Sequence, residues 1–376
     1  MDVLTAGRRM GTFALVALAL AGAAFAVAAG PARAAGDTVH ITGKTFRFGK
    51  RAPVLVGAVI KVREFPGIST VSDANGDYDL EVPDNANVTP YIVTGWNAPA
   101  TDAATQHYNE IDLQTFHTRG ENIENANFQT PTDLEYNALK AILGVPADAE
   151  GRPAQCVIVT TSSARNVRDV SYDTYWDRTP HGVAGATSRT VPAVPGPIYF
   201  NNSVIPDPTW TSSSHDGGII WSVVPTGTYR VITEHPTTRF ASFLATCEPG
   251  RVVNANPPWG AYELAPGESP LGASNVAAKV EKAKATRKGK RNRTVAVTVR
   301  TGETIGFAAT VRKAGKVVAT KKVKALAGGT RTVKIPVKAK VKPGQANVRV
   351  TLTDAADVSF GSSHKVKLPK VAKKKR

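Results

Sequence analysis

Few residues of this chain stand at spacings that could do chemistry. His107-Tyr108-Asn109-Glu110 has the His-x-x-Glu spacing of zinc peptidase sites, with His215 or His235 as a distant third ligand. Such a site needs a doubly wound α/β domain to hold it, and the residues between these histidines read as strands and turns, so loop histidines are expected. Asp73-Ala74-Asn75-Gly76-Asp77-Tyr78-Asp79 offers alternate oxygens to calcium, but Tyr78 and Asp84 stand where an EF-hand loop needs Gly and Glu. Its Asn-Gly pair reads as a β-turn instead. No Gly-x-Ser-x-Gly, Gly-x-x-x-x-Gly-Lys or His-Glu-x-x-His string occurs, and these spacings assign no catalytic residue, metal ligand or cofactor.

Binding chemistry is better represented. All five Trp precede residue 266. Trp221 lies inside an apolar run and reads as core. Trp210 follows Asp207-Pro208 and Trp259 follows Pro257-Pro258, so both are expected on loops at a sandwich end, with rings free to stack on a glycan or a surface protein. The net charge of +17 is unevenly placed: from 267 to 376 there are 28 Lys and Arg against 5 Asp and Glu, while the remaining residues carry 19 against 25. A basic end of that strength is expected to contact anionic wall polymers or acidic lipid headgroups, and no specific nucleic acid is expected. Lys at alternate strand positions also keeps sheet edges from pairing between molecules.

Residues 1–34 read as a signal peptide. Arg8-Arg9 precede an Ala/Leu/Val run, and Ala32-Arg33-Ala34 offers the small side chains of a cleavage site; the pair leaves general or twin-arginine export open. Export implies an oxidising compartment and a secreted or wall-associated protein, in which Cys156 and Cys247 are expected to form a disulfide. Closing that loop restricts the unfolded chain by about 4 to 5 kcal/mol in the entropy model.

The elements that must position these residues are mostly strands. In 37–100, Val54 to Val62 is largely apolar and Tyr78 to Val82 alternates with period two, with the Asn-Gly turn between them as a hairpin signal. Segment 101–150 connects onward through a helix at 131–143, with Leu134, Ala138 and Ile142 as the apolar stripe and Gly144 and Pro146 as stops. Strands return over 151–265, interrupted by a five-proline stretch from Pro192 to Trp210 that reads as a long surface loop. Residues 267–292 read as a linker, 293–368 as a basic sandwich alternating Val, Ile or Leu with Lys, Arg or Thr, and 369–376 as a basic tail.

The two body segments share an order of features. Val56-Gly57-Ala58-Val59, Ser72 to Tyr78 and Val82-Pro83 are echoed by His181 to Ala186, Ser214-His215-Asp216-Gly217-Gly218 and Val224-Pro225-Thr226-Gly227-Thr228-Tyr229. This pattern resembles the carboxypeptidase regulatory-like, or transthyretin-like, domains of secreted bacterial proteins, and the basic end is similar to bacterial immunoglobulin-like domains. The first copy lacks the Pro-x-Gly-x-Tyr spacing after Pro83, and the second carries a long insertion. The resemblance implies an all-β chain of tandem antiparallel β-sandwiches, two transthyretin-like and one C-terminal immunoglobulin-like, with one intervening helix. It implies a non-catalytic binding or structural protein of the cell surface. The same sandwich also resembles the core of intradiol dioxygenases, whose iron is held by two Tyr and two His. The alternative is therefore a metal-dependent enzyme with its site in the second sandwich, near Tyr229, His215 and His235, although no His-x-His occurs.

Overall fold

The computed structural model describes residues 37–93, 111–270, 275–288 and 292–371. The signal segment 1–34, the His107 and Glu110 pair and the tail from Lys373 lie outside them. Nine short strands come first: β1 (Thr38–Arg47), β2 (Val59–Val62), β3 (Ser69–Val71), β4 (Asp77–Pro83), β5 (Asn87–Val88), β6 (Pro90–Ile92), β7 (Ile111–Asp112), β8 (Phe116–His117) and β9 (Phe128–Thr130). On β4 the period-two pattern is realised directly, with Tyr78, Leu80 and Val82 buried and Asp79 and Glu81 exposed. It pairs antiparallel with β1, whereas β3 belongs to another sheet. The Asn-Gly turn is therefore a corner between sheets, not the hairpin expected. Asp73 Oδ1 accepts from the backbone N–H groups of Asn75 at 2.8 Å and Asp77 at 2.9 Å, and Gly76 takes a φ of 76° that favours glycine.

Helix α1 (Asp133–Leu143) forms where its signals stand: Thr132 and Glu135 make a reciprocal capping box, and Gly144 closes the helix in the left-handed region. Its buried face differs from the one expected. Tyr136 is buried with Leu143 packed beside the core, while Leu134 and Ile142 are 79% and 59% exposed. Glu135 pairs with Arg47 of β1 at 2.7 Å.

The chain continues through β10 (Cys156–Ser163), a short helix α2 (Tyr172–Trp176), β11 (Thr187–Val191), β12 (Ile198–Phe200), β13 (Pro206–Asp207), β14 (Gly218–Val224), β15 (Gly227–Glu234), β16 (Phe243–Cys247), β17 (Val252–Ala255) and β18 (Ala261–Tyr262). The proline-rich stretch thus holds a small hairpin. Its prolines flank Ile198–Phe200 rather than interrupt it, which leaves those residues free to pair with β14, Ile198 opposite Ile220.

One sheet runs through both body segments in the order β13-β12-β14-β10-β17-β7-β6-β2-β3. The seam is a parallel pair, β7 with β17, and β10 also pairs β17 in parallel. Residues of both segments, from Val39 to Leu264, share one core, so the stretches 37–93 and 151–265 build a single body. Asp112 at the seam is fully buried between two cations, Arg63 from the first segment and Arg251 from the second. A second layer, β11-β15-β16, closes the other core, and the Cys156–Cys247 disulfide joins β10 to β16 across it with a Cα separation of 5.4 Å.

The basic end forms a two-layer sandwich with its own core. Its strands are β19 (Ala278–Lys288), β20 (Asn292–Thr301), β21 (Ile305–Lys313), β22 (Lys316–Leu326), β23 (Gly329–Val337), β24 (Gly344–Thr353) and β25 (Ser359–Leu368). One layer runs β19-β20-β23, the other β22-β21-β24-β25. Strand β19, eleven residues long, lies inside the segment expected as a linker. Its inward positions are small, Ala283 and Ala285, and a bulge after Val280 shifts the register, so the sequence shows no sustained apolar period.

Candidate functional site

The basic sandwich is held to the body by buried charges. Arg230 on β15 is 1% exposed and forks onto Glu303 of the β20–β21 turn, its Nε donating to Oε2 at 3.0 Å and its Nη2 to Oε1. Its Nη1 donates to Ser242 Oγ at 3.3 Å and lies 3.5 Å from Asp354 Oδ2. One cation therefore faces two carboxylates. Burial lifts the Asp354 carboxyl to about 6, against the pull of Arg230 and of the Val358 N–H. Arg119 adds a second clasp: it donates to the carbonyls of Val276 and Ala278 and stacks 3.6 Å over the Phe360 ring. The approach is close enough that a Cβ on Gly302 would stand 2.4 Å from the Asn87 side-chain nitrogen.

The face that this docking presents is set by register. On the four-stranded layer, inward positions such as Phe307, Val311, Val348, Val350 and Leu352 are buried. The outward positions pair across the sheet as Lys322, Ala308, Thr351 and Gly361, then Thr320, Thr310, Arg349 and Ser363, then Val317, Arg312, Asn347 and Lys365. The result is a surface of small residues with cations between and around them. Among the described residues the sandwich has four carboxylates, and none lies on this face: Glu303 and Asp354 are at the junction, Glu281 pairs with Arg300 on the other layer at 2.9 Å, and Asp357 is in the β24–β25 turn.

On the body, Trp210 is half-buried after β13 and packed beside the second core, and the β12–β13 turn that precedes it exposes Val204 and Ile205 at 48% each. Asn201 closes that loop by accepting from the N–H groups of Ser203 and Ile205, and Val204 is held at a φ of 60°, which strains a β-branched residue. Trp259 does not project. It is 8% exposed, packs edge-on against Phe116 with ring centroids 5.3 Å apart, and donates from Nε1 to the Glu124 carbonyl at 2.7 Å. The expectation of a free ring there is corrected: the Phe116 ring and the Glu124 carbonyl hold Trp259 in the core.

An aromatic corner was missed in the sequence. Tyr172, Tyr175 and Trp176 of α2 gather with Phe46 and His181; Phe46 and Tyr172 centroids are 4.9 Å apart, and Tyr175 stacks on His181 at 4.6 Å. Asn125, Asn127 and Gln129 border the same corner. The signal was a Ser171 N-cap followed by rings at helical spacing.

The histidines of the metal reading stand apart in role. His215 is exposed, and its backbone carbonyl accepts from Gly182 at 2.9 Å. His235 Nδ1 accepts from the N–H groups of Thr237 and Thr238, on the wall of a cleft of about 740 Å³ where Arg189 pairs with Glu234 at 3.2 Å. Tyr229 donates to the Pro225 carbonyl at 2.9 Å. Among the described residues no three His, Cys, Asp or Glu gather in a geometry that could hold a metal.

No family model and no curated protein matches the chain. Similar solved structures include DesR, a β-glucosidase from Streptomyces venezuelae, at 21% identity and a TM-score of 0.17 over 26% of this chain; the chain covers 16% of that protein. The major pilin subunit of Bacillus cereus gives 12% identity and 0.18 over 57% of this chain and 69% of its own. A Ca2+-stabilized adhesin of an Antarctic bacterium that binds ice gives 13% and 0.18 over 90% and 70%. At these TM-scores the likeness carries no argument about this chain.

Proposed function

We propose that the protein is a secreted, non-catalytic binding protein of the cell surface or wall, whose body contacts a glycan or surface protein and whose basic sandwich contacts anionic wall polymer. The observation that carries this reading is the carboxylate-free cationic face on a sandwich clasped to the body by Arg230 and Arg119. A rigid sheet fixes the backbone positions of these cations, so no loop or tether has to be ordered when a polyanion docks. Trp210 and the rings of α2 are the body's candidates for stacking on sugar C–H faces.

Binding of the full chain to isolated, polymer-bearing wall should weaken steeply between about 0.05 and 0.2 M salt, as counterion release requires. Binding that is insensitive to salt over that range overturns the electrostatic part of the reading. Trp210→Ala should weaken retention on a neutral glycan matrix with little effect on the salt response.

A further inference from the structure

We infer that the outer face of the four-stranded layer, β22-β21-β24-β25, is the docking site, and that its ligand is a linear phosphodiester polymer laid across the strands. The inference rests on the anchoring reading above and assigns it to one face and one chemistry. With neighbouring strands about 4.8 Å apart and alternate residues about 6.8 Å apart, Arg349 stands roughly 8 Å from Arg312 and Lys365 and about 12 Å from Lys322. That spacing lets several cations reach successive phosphates of one chain, because each side chain has several ångströms of play.

Between them lie Ala308, Thr310, Thr351, Gly361 and Ser363, all outward and none long. They leave a shallow trough in which an uncharged sugar or polyol backbone can rest, with hydroxyls at hand for hydrogen bonds. Arg349 offers a planar fork that matches phosphate in two bonds. A bilayer is a poorer fit. Membrane-surface binding pairs cations with apolar side chains that enter the acyl boundary, and on this face only Val317, on the edge strand, is both large and apolar among the described residues. The other layer is less suited, because Glu281 stands among its cations and pairs with Arg300.

Two full-length variants of equal charge test this. One is Lys322→Gln with Arg349→Gln and Lys365→Gln on the proposed face; the other is Lys282→Gln with Lys284→Gln and Lys334→Gln on the opposite layer. All six side chains are exposed, so both variants should melt close to the parent. The probes are poly(glycerol phosphate) and vesicles of equal parts phosphatidylglycerol and phosphatidylcholine, titrated across salt.

For poly(glycerol phosphate), three lost contacts should reduce the slope of log K against log salt by about 2 and affinity at 0.1 M salt by roughly a hundredfold; the opposite-layer variant should keep the parent slope. Equal losses in both variants overturn the face assignment while leaving electrostatic anchoring intact. Parent protein that fails to bind the polymer salt-sensitively removes the anchoring reading itself. Tighter binding to the vesicles, lost in the face variant, assigns the face to lipid headgroups and overturns the polymer.

Discussion

Replacing Arg230 by Met should loosen the sandwich from the body more than any single surface change. Glu303 would lose its guanidinium while keeping the N–H of Ala277 at 3.2 Å, and Asp354 would lose the cation 3.5 Å away. Breaking a buried pair from one side costs about 3 to 5 kcal/mol, because the abandoned charge stays desolvated. For a chain of this size unfolding as one unit that is roughly 4 to 7 °C in melting temperature. The distribution of Trp supplies the assay: all five precede residue 266, so fluorescence follows the body, while far-UV circular dichroism follows both halves. In the parent the two urea transitions should coincide. In Arg230→Met the dichroism should begin to fall first, as the sandwich unfolds without its clasp. Adding Glu303→Gln should recover part of the loss, since a neutral amide is cheaper to bury than an unpaired carboxylate. A loss below about 1 kcal/mol with coincident transitions would refute a buried Arg230 between two carboxylates.

Asp354 makes the same junction sensitive to pH. Its carboxyl lies at about 6 in the folded protein against 3.8 as an isolated side chain. The folded state therefore takes up a proton that the unfolded state does not, and this group adds stability as pH falls through about 6, up to about 3 kcal/mol. Buried His117 and half-buried His364 act the opposite way over the same window, so the comparison is with Asp354→Asn: the parent's urea midpoint should rise relative to the variant's between about pH 7.5 and 5, and parallel profiles reject the assignment. Cys156→Ser with Cys247→Ser should cost about 2 to 5 kcal/mol, and unreduced, unfolded protein should label no thiol; two labels would reject the bridge. Trp259→Ala should cost about 3 to 5 kcal/mol as a core truncation, while Trp210→Ala should cost less, with urea unfolding separating the two.

The sequence was most legible where burial is one-sided. Strands β4, β14, β15, β21 and β24 show their inward sets as alternation or apolar runs, and the helix caps Thr132, Glu135 and Gly144 stand at their expected places. Legibility failed where structure is decided by partners distant in sequence. The β7–β17 seam joins two dipeptide stretches whose pairing no local pattern announces, so the body looked like two units. Strand β19 hid behind Ala at its inward positions. Trp259 looked exposed because prolines precede it, yet Phe116 and the Glu124 carbonyl, more than a hundred residues away in sequence, draw it inward. The cationic face was visible only as an excess of charge; register turned that excess into rows.

The clasp changes what the basic end can do. A charged domain on a flexible tether binds wherever its tether reaches, and its effective concentration falls as the tether lengthens. Here Arg230 and Arg119 reach from the body into the sandwich, and Gly302 packs against Asn87, so the cationic face keeps a fixed position relative to Trp210 and the α2 rings. A polymer held on the face then presents the body to its own ligand at one distance and orientation, and the two contacts reinforce each other only where the surface offers both at that spacing. The same coupling makes deletion of the basic end a poor test of anchoring. It would strip Arg230 of both carboxylates and uncover the body surface that the sandwich packs on, so lost binding would mix with lost stability. Charge-removing substitutions on the exposed face separate the two, because they alter the field at the surface and leave the junction intact.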